Sequence, residues 1–195
     1  MYYHASPVKD IKILEPRVSN HNIPLIYFSS KRENALVYLS NAVEKFCQEN
    51  NFLYDGIYSK WGSYSFNKTG IIQLEEYYPN ALYETYKGVS GYIYRINSIP
   101  NVDKLKDIPY AYISSTNIPI DSIEYIPDAY EAIMKEIKAK KMILIKYDQF
   151  IKMKKEWLEK IIKKEYEEAF DHPEYRFFLK SKFPFLQTKD KDITK

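Results

Sequence analysis

Glycine is the residue whose scarcity most limits this chain. Five occur in 195 residues, Gly56, Gly62, Gly70, Gly88 and Gly91. Neither G-x-G-x-x-G nor G-x-x-x-x-G-K-[ST] can be assembled from them, so a dinucleotide fingerprint and a P-loop are both excluded. Any nucleotide site must be built without a glycine-rich phosphate loop. One cysteine, Cys47, excludes an internal disulfide framework and a multi-cysteine zinc site. His4, His21 and His172 lie too far apart to show ligand spacing, so no metal is expected. No apolar run approaches the roughly 18 residues of a membrane helix, and no basic-then-apolar leader opens the chain. The expectation is a soluble, reducing, cytoplasmic setting with no membrane partner. Net charge is +3, and the lysines of 135–141 and 152–164 interleave with Glu136, Glu156, Glu159 and Glu165. That is the pattern of salt-bridged helix faces rather than of a nucleic-acid stripe. Tyrosine is abundant, 20 residues, but so are Lys, Ile and Asn, and AT-rich coding accounts for all four.

Short strands are expected at Met1–His4, Leu25–Ser29, Gly91–Asn97, Tyr110–Ser114, Ile120–Ile126 and Met142–Tyr147. Ser30 and Glu33 form a capping-box signature. Ala35, Tyr38, Leu39, Ala42, Val43, Phe46 and Cys47 then recur at helical spacing, predicting one amphipathic helix of about 18 residues with Cys47 in the core. Residues 51–90 read as aromatic-rich and irregular. Within them, segment 54–66, with Tyr58, Trp61 and Tyr64, suits either a cover over a site or a loop packed on the sheet. Pro127 suits the first turn of a helix carrying Tyr130, Ile133, Met134 and Ile137. From Gln149 a long helix should bury Phe150, Met153, Trp157, Leu158, Ile161 and Ile162. His172-Pro173 stops it, and a second helix through Tyr175–Leu179 folds back. The mixture predicts an α+β domain with a mainly antiparallel sheet over 1–148, a helical extension over 149–187 and a polar tail over 188–195.

Three separated pieces carry chemistry. They are Tyr3-His4-Ala5-Ser6 ending the first strand, Ile26-Tyr27-Phe28-Ser29 with Tyr38 eleven residues after Tyr27, and Ile123-Glu124-Tyr125-Ile126 on a late strand. Singly, each has an ordinary use. His4 suits a surface histidine, the tyrosines suit a core, and Glu124 alternates with apolar neighbours as a solvated strand residue does. Together, in this order, they resemble the His–Tyr–Glu signature of the ADP-ribosyltransferase fold, of the diphtheria-toxin and poly(ADP-ribose) polymerase type, in a bacterial or phage member. His4 and Ser6 match its His-Gly-[Ser/Thr] strand. Tyr27, Phe28 and Ser29 match its Tyr-Phe-[Ala/Ser] strand, Tyr38 its second tyrosine, and Glu124 its catalytic glutamate.

The resemblance implies a split sheet and an enzyme that uses NAD as substrate. It would cleave the nicotinamide–ribose bond and pass ADP-ribose to an acceptor of unknown class (protein, nucleic acid, small molecule or water), and the expected role is that of a toxin or effector. Tyr27 and Tyr38 would flank nicotinamide by stacking. His4, with Ala5 and Ser6, would hold a ribose hydroxyl and the carboxamide, Ser29 would line the same site, and Arg17 would meet the pyrophosphate. Glu124 would stabilise the oxocarbenium-like transition state and take a proton from the acceptor. Two positions depart from the family pattern. Ala5 replaces glycine, which matters if φ there is positive. Ser122 stands where arginine-modifying members carry Glu or Gln. Two alternatives accompany this reading: a non-catalytic NAD- or ADP-ribose-binding module, favoured by Ala5, and an RNA 2′-phosphotransferase-like enzyme, for which Arg17, Arg32 and Arg95 are the available cations.

Overall fold

The structure is a computed structural model and describes residues 1–18, 23–54 and 61–191. His21, Gly56, Tyr58 and residues 192–195 of the polar tail lie outside the described residues. In chain order the elements are β1 (Tyr2–Ser6), β2 (Ile13–Leu14), β3 (Arg17–Val18), β4 (Pro24–Ser29), α1 (Arg32–Ala35) and, after a 3₁₀ turn at Leu36–Tyr38, α2 (Ala42–Glu49). Next come β5 (Ser63–Phe66), β6 (Ile72–Glu75), α3 (Ala81–Tyr86), β7 (Gly91–Ile96), β8 (Asp103–Lys104), β9 (Ala111–Ser114), β10 (Ile118–Pro119) and β11 (Ser122–Ile126). The chain ends with α4 (Ala129–Lys138), β12 (Met142–Ile145), α5 (Tyr147–Glu168), α6 (Pro173–Lys182) and a 3₁₀ segment from Pro184. The class is α+β with mostly antiparallel sheets.

The main sheet has the order β11-β7-β1-β4-β9-β8, with β3 also pairing β4, and all of these pairings are antiparallel. Residues opposite one another in an antiparallel ladder point to the same side. His4 lies opposite Tyr94 and, one strand further, Ile123, while Ala5 lies opposite Ile93 and then Glu124. Ser29 lies opposite Tyr3 and Ala111, and Tyr27 opposite Ile113. One face therefore carries Tyr2, His4, Ser6, Phe28, Tyr94 and Tyr112. Ring contacts of Tyr2 with Phe28 (6.5 Å) and with Tyr112 (5.0 Å) agree with that assignment. Part of this face is covered by the small β2–β10 sheet, with Leu14, Ile26, Phe28, Ile96, Ile99 and Ile118 as its core. The opposite face carries Ala5, Tyr27, Ser29, Ile93, Gly91 and Glu124. There the 3₁₀ turn comes down so closely that a Cβ on Gly91 would stand 2.5 Å from Leu39 Cδ2 and 3.1 Å from the Ser6 carbonyl. That approach is the reason for a glycine in this strand.

The single helix expected from the 35–47 periodicity is two helices. α1 and its 3₁₀ turn end at Leu39 (φ −87, ψ 51), and α2 restarts after Asn41 (φ −154, ψ 52). Ser40 and Asn41 favour helix ends because their side chains compete for backbone groups. The Asn41 amide donates to Glu44 at 2.9 Å, while its backbone N–H donates to the Thr85 carbonyl. At the start of α1 the residue before the helix is Lys31, without a side-chain cap. The hydroxyl that serves the turn is that of Ser29, which accepts from Lys31 N–H at 3.1 Å, so the Ser30–Glu33 capping box does not form. Pro127 stands just outside α4. Asp128 caps that helix, accepting from Glu131 N–H at 3.2 Å. The stretch read as irregular contains β5 and β6, joined by Asn67–Gly70. There the Asn67 side chain accepts from Thr69 and Ile71 N–H, and Gly70 takes φ +78.

Two compact units divide the chain, and they do not follow the expected 148/149 boundary. The first comprises Met1–Leu39, Phe66–Gln73 and Tyr86–Ile143, the second Ser40–Ser65, Leu74–Thr85 and the chain from Leu144. In the second unit the C-terminal helices find their apolar cover in residues far earlier in the chain. Ala42, Val43, Phe46, Cys47, Trp61, Tyr78 and Ala81 share one core with Phe150, Leu158, Ile162, Phe178, Leu179 and Phe183. α5 leaves helical geometry at Lys154 (φ −137, ψ 25), which shifts the phase of its faces. Met153 and Trp157, expected inside, are 59% and 43% exposed. The break brings Lys154 Nζ to 3.2 Å from the buried Glu75, which also accepts from Ser65 at 2.9 Å. Burial, and then the charge of Glu75, push the neighbouring Tyr77 phenol up to about 12. The second buried carboxylate, Glu76, accepts from Leu82 and Tyr147 N–H, the latter at the start of α5.

Candidate functional site

The strands that carry the sequence motifs meet in the first unit, where the main sheet parts between β1 and β4. β1 and β7 are bridged at five residue pairs, and β4 and β9 at four. β1 and β4 are bridged at one, Tyr3↔Ser29. Beyond that bridge the His4 ring reaches toward β4, with Nδ1 2.9 Å from the Tyr27 carbonyl oxygen. A carbonyl only accepts, so Nδ1 carries the proton, and in the neutral ring Nε2 is the acceptor. Phe28 holds the ring from the side, with centroids 6.1 Å apart in an edge-to-face arrangement. The structure thus brings together His4 and the Tyr27-Phe28-Ser29 segment, residues 23 or more apart in sequence.

The other motif residues fall as follows. Ala5 lies in regular strand opposite Ile93 and is not among the residues with positive φ, so alanine introduces no backbone strain at that position. Ser6 shares His4's face, and its Oγ accepts from Val8 N–H at 3.2 Å. Tyr27 is half-buried and points to the opposite face from His4, toward the side on which Ser29 is buried. Tyr38 ends the 3₁₀ turn and is half-buried, while Leu36, Val37 and Leu39 around it are buried. Arg17 is exposed on β3 opposite Leu25, two residues before Tyr27.

Glu124 does not join His4. It lies two strands from β1, in register with Ala5, and so points to the face opposite His4. Both its oxygens are held by Arg32, with Nη2 to Oε1 at 2.6 Å and Nε to Oε2 at 2.8 Å. The third guanidinium donor, Nη1, reaches Glu136 Oε1 on α4 at 2.9 Å, and Lys141 lies 3.6 Å from the other oxygen of Glu136. Arg32 thus ties α1 to β11 and α4 through two carboxylates, the forked geometry for which arginine is suited. The hydrogen bonds and charge of Arg32 hold the Glu124 carboxyl below the usual carboxylate range, while Glu124 raises the Arg32 guanidinium in turn. With Arg32 engaged in this way, the cation set proposed for an RNA phosphate shrinks to Arg17 and Arg95.

Sequence reasoning missed this clamp, because Arg32 enters it only as a cation for an RNA phosphate and Glu136 reads as an ordinary helix-surface charge. Glu136 is in fact buried. Its position directly after Lys135 gave no usable signal. Among the described residues, no group of three or more His, Cys, Asp or Glu could hold a metal ion, and no helix is long and apolar enough to cross a membrane. No family model, curated protein or solved structure matches the chain.

Proposed function

We propose that this chain binds NAD at the parting of β1 and β4 and is an ADP-ribosyltransferase-type protein. The observation that carries this reading is the single bridge between these strands, with His4 spanning the opening to the Tyr27 carbonyl. A histidine fixed where the sheet parts would meet a ribose hydroxyl, with the Phe28 ring beside it. It would do so without glycine-rich phosphate loops, which this chain lacks. The activity expected is cleavage of the nicotinamide–ribose bond and transfer of ADP-ribose. Departure of nicotinamide leaves positive charge on the ribose, and a nearby carboxylate lowers that barrier.

A second reading, binding without turnover, is favoured by one observation. Glu124 faces away from His4 and has both oxygens committed to Arg32. The two readings separate in one experiment, nicotinamide release from NAD by the wild type and by Glu124→Gln. If Glu124 is the transition-state partner, the wild type releases nicotinamide and the variant is slower by on the order of 10²–10³. If the clamp is its whole role, NAD binds equally to both proteins and Glu124→Gln changes stability alone. Absence of both binding and release in the folded wild type would remove the proposal.

A further inference from the structure

The two ends of the seven-stranded sheet differ in a way that bears on association. Open strand edges are templates for pairing, and proteins blunt them with short strands, lysine, proline or bulges. The β8 end is blunted, being only Asp103–Lys104, both charged and exposed. The β11 end is not. Ser122-Ile123-Glu124-Tyr125-Ile126 is five residues long, has neither lysine nor proline, and among the described residues no strand pairs with its outer side. Its three central residues are exposed, Ile123 at 39% and Tyr125 at 56%. Those two side chains share His4's face, and Glu124 points to the other.

We propose that β11 is a self-pairing edge, through which two copies of this chain join their main sheets antiparallel about a two-fold axis at Glu124. The segment is self-complementary in that register. A second copy sets Ile123 opposite Tyr125 twice and Ser122 opposite Ile126 twice, the reciprocal contacts that a two-fold interface requires. The apolar pairs fall on one face, where a β-branched residue beside an aromatic one is a favourable cross-strand pair. The one like-charge meeting is Glu124 with its own copy. Each Glu124 arrives already neutralised by a bidentate Arg32, so the axis brings together two ion pairs rather than two bare carboxylates. An extended peptide from another protein would gain the backbone bonds but not this reciprocal match. The inference does not depend on the NAD reading.

Sedimentation velocity of the full chain from about 1 to 100 μM is the test, a range in which a dissociation constant in the micromolar region is visible. The wild type is expected to move with concentration toward twice its 23.3 kDa chain mass. Ile123→Lys and Tyr125→Lys, each at an exposed position and with unchanged circular dichroism, are expected to associate at least about tenfold more weakly. Amides of Ser122–Ile126 should gain hydrogen-exchange protection with concentration in the wild type and not in the variants. A wild type that stays monomeric throughout, or a dimer that survives both lysine substitutions, would overturn the proposal.

Discussion

Arg32 opens α1, where the helix dipole disfavours a cation. It is held there by Glu124 at 2.6 and 2.8 Å and by Glu136 at 2.9 Å. Because the pair is partly exposed, its contribution is discounted for solvent screening. Glu124→Gln should cost about 1 kcal/mol, read as a melting shift of about 2–4 °C. Arg32→Ala should cost more, about 2–3 kcal/mol, because it leaves the buried Glu136 without its main partner. The pH dependence follows from the lowered Glu124 pKa. Its contribution is complete above the unfolded carboxylate value of about 4.3 and is lost as pH falls through the lower folded value. Melting curves of the wild type and Glu124→Gln should therefore differ at neutral pH and converge in acid. A gap that stayed constant into acid would show that the carboxylate charge is not what the variant removes.

At the scale of elements, the close approach of the 3₁₀ turn to β7 is the most exacting contact of the first unit. Gly91→Ala places its Cβ against the buried Leu39 side chain, which must shift, and near the Ser6 carbonyl, which is fixed in the β1 backbone. A loss of about 1–3 kcal/mol in denaturant unfolding is expected. Unchanged stability would mean that the turn is free to lift. This is also where the limits of the sequence are plainest. Of the main sheet, β1, β4, β7, β9 and β11 were legible, since each alternates or runs apolar between turn residues, whereas the two-residue β3 and β8 carry no such pattern. The split of the 35–47 helix was not. Apolar positions recur on both sides of Ser40-Asn41, so periodicity runs through a break that only the cap-forming pair encodes. The kink in α5 was hidden for a related reason: Met153 and Trp157 keep helical spacing with Phe150 and Leu158 in the sequence but not in space. Glu75, Glu76 and Glu136 were unreadable as buried residues, because the groups that make their burial tolerable, Lys154, Tyr147 and Arg32, lie about 70–100 positions away, where no local pattern reaches.

On the scale of the whole molecule, three motif pieces were read as one constellation, and two of them meet. His4 and the Tyr27 segment converge because β1 and β4 are neighbours, a long-range pairing that motif order suggests but cannot fix. Glu124 sits on the neighbouring side of β7, and the two-residue period of a strand then decides which face it serves. One step along β11 would have put it on His4's face. The proposed NAD site at the parting of β1 and β4 is tested by calorimetric titration of NAD into the wild type and into His4→Ala. Binding by the wild type is expected, with a loss of about tenfold or more in affinity for His4→Ala, consistent with a lost hydrogen bond worth roughly 1.4 kcal/mol, and unchanged affinity for Lys9→Ala at an exposed position. No heat of binding from folded wild type, or equal affinity in His4→Ala, would contradict it.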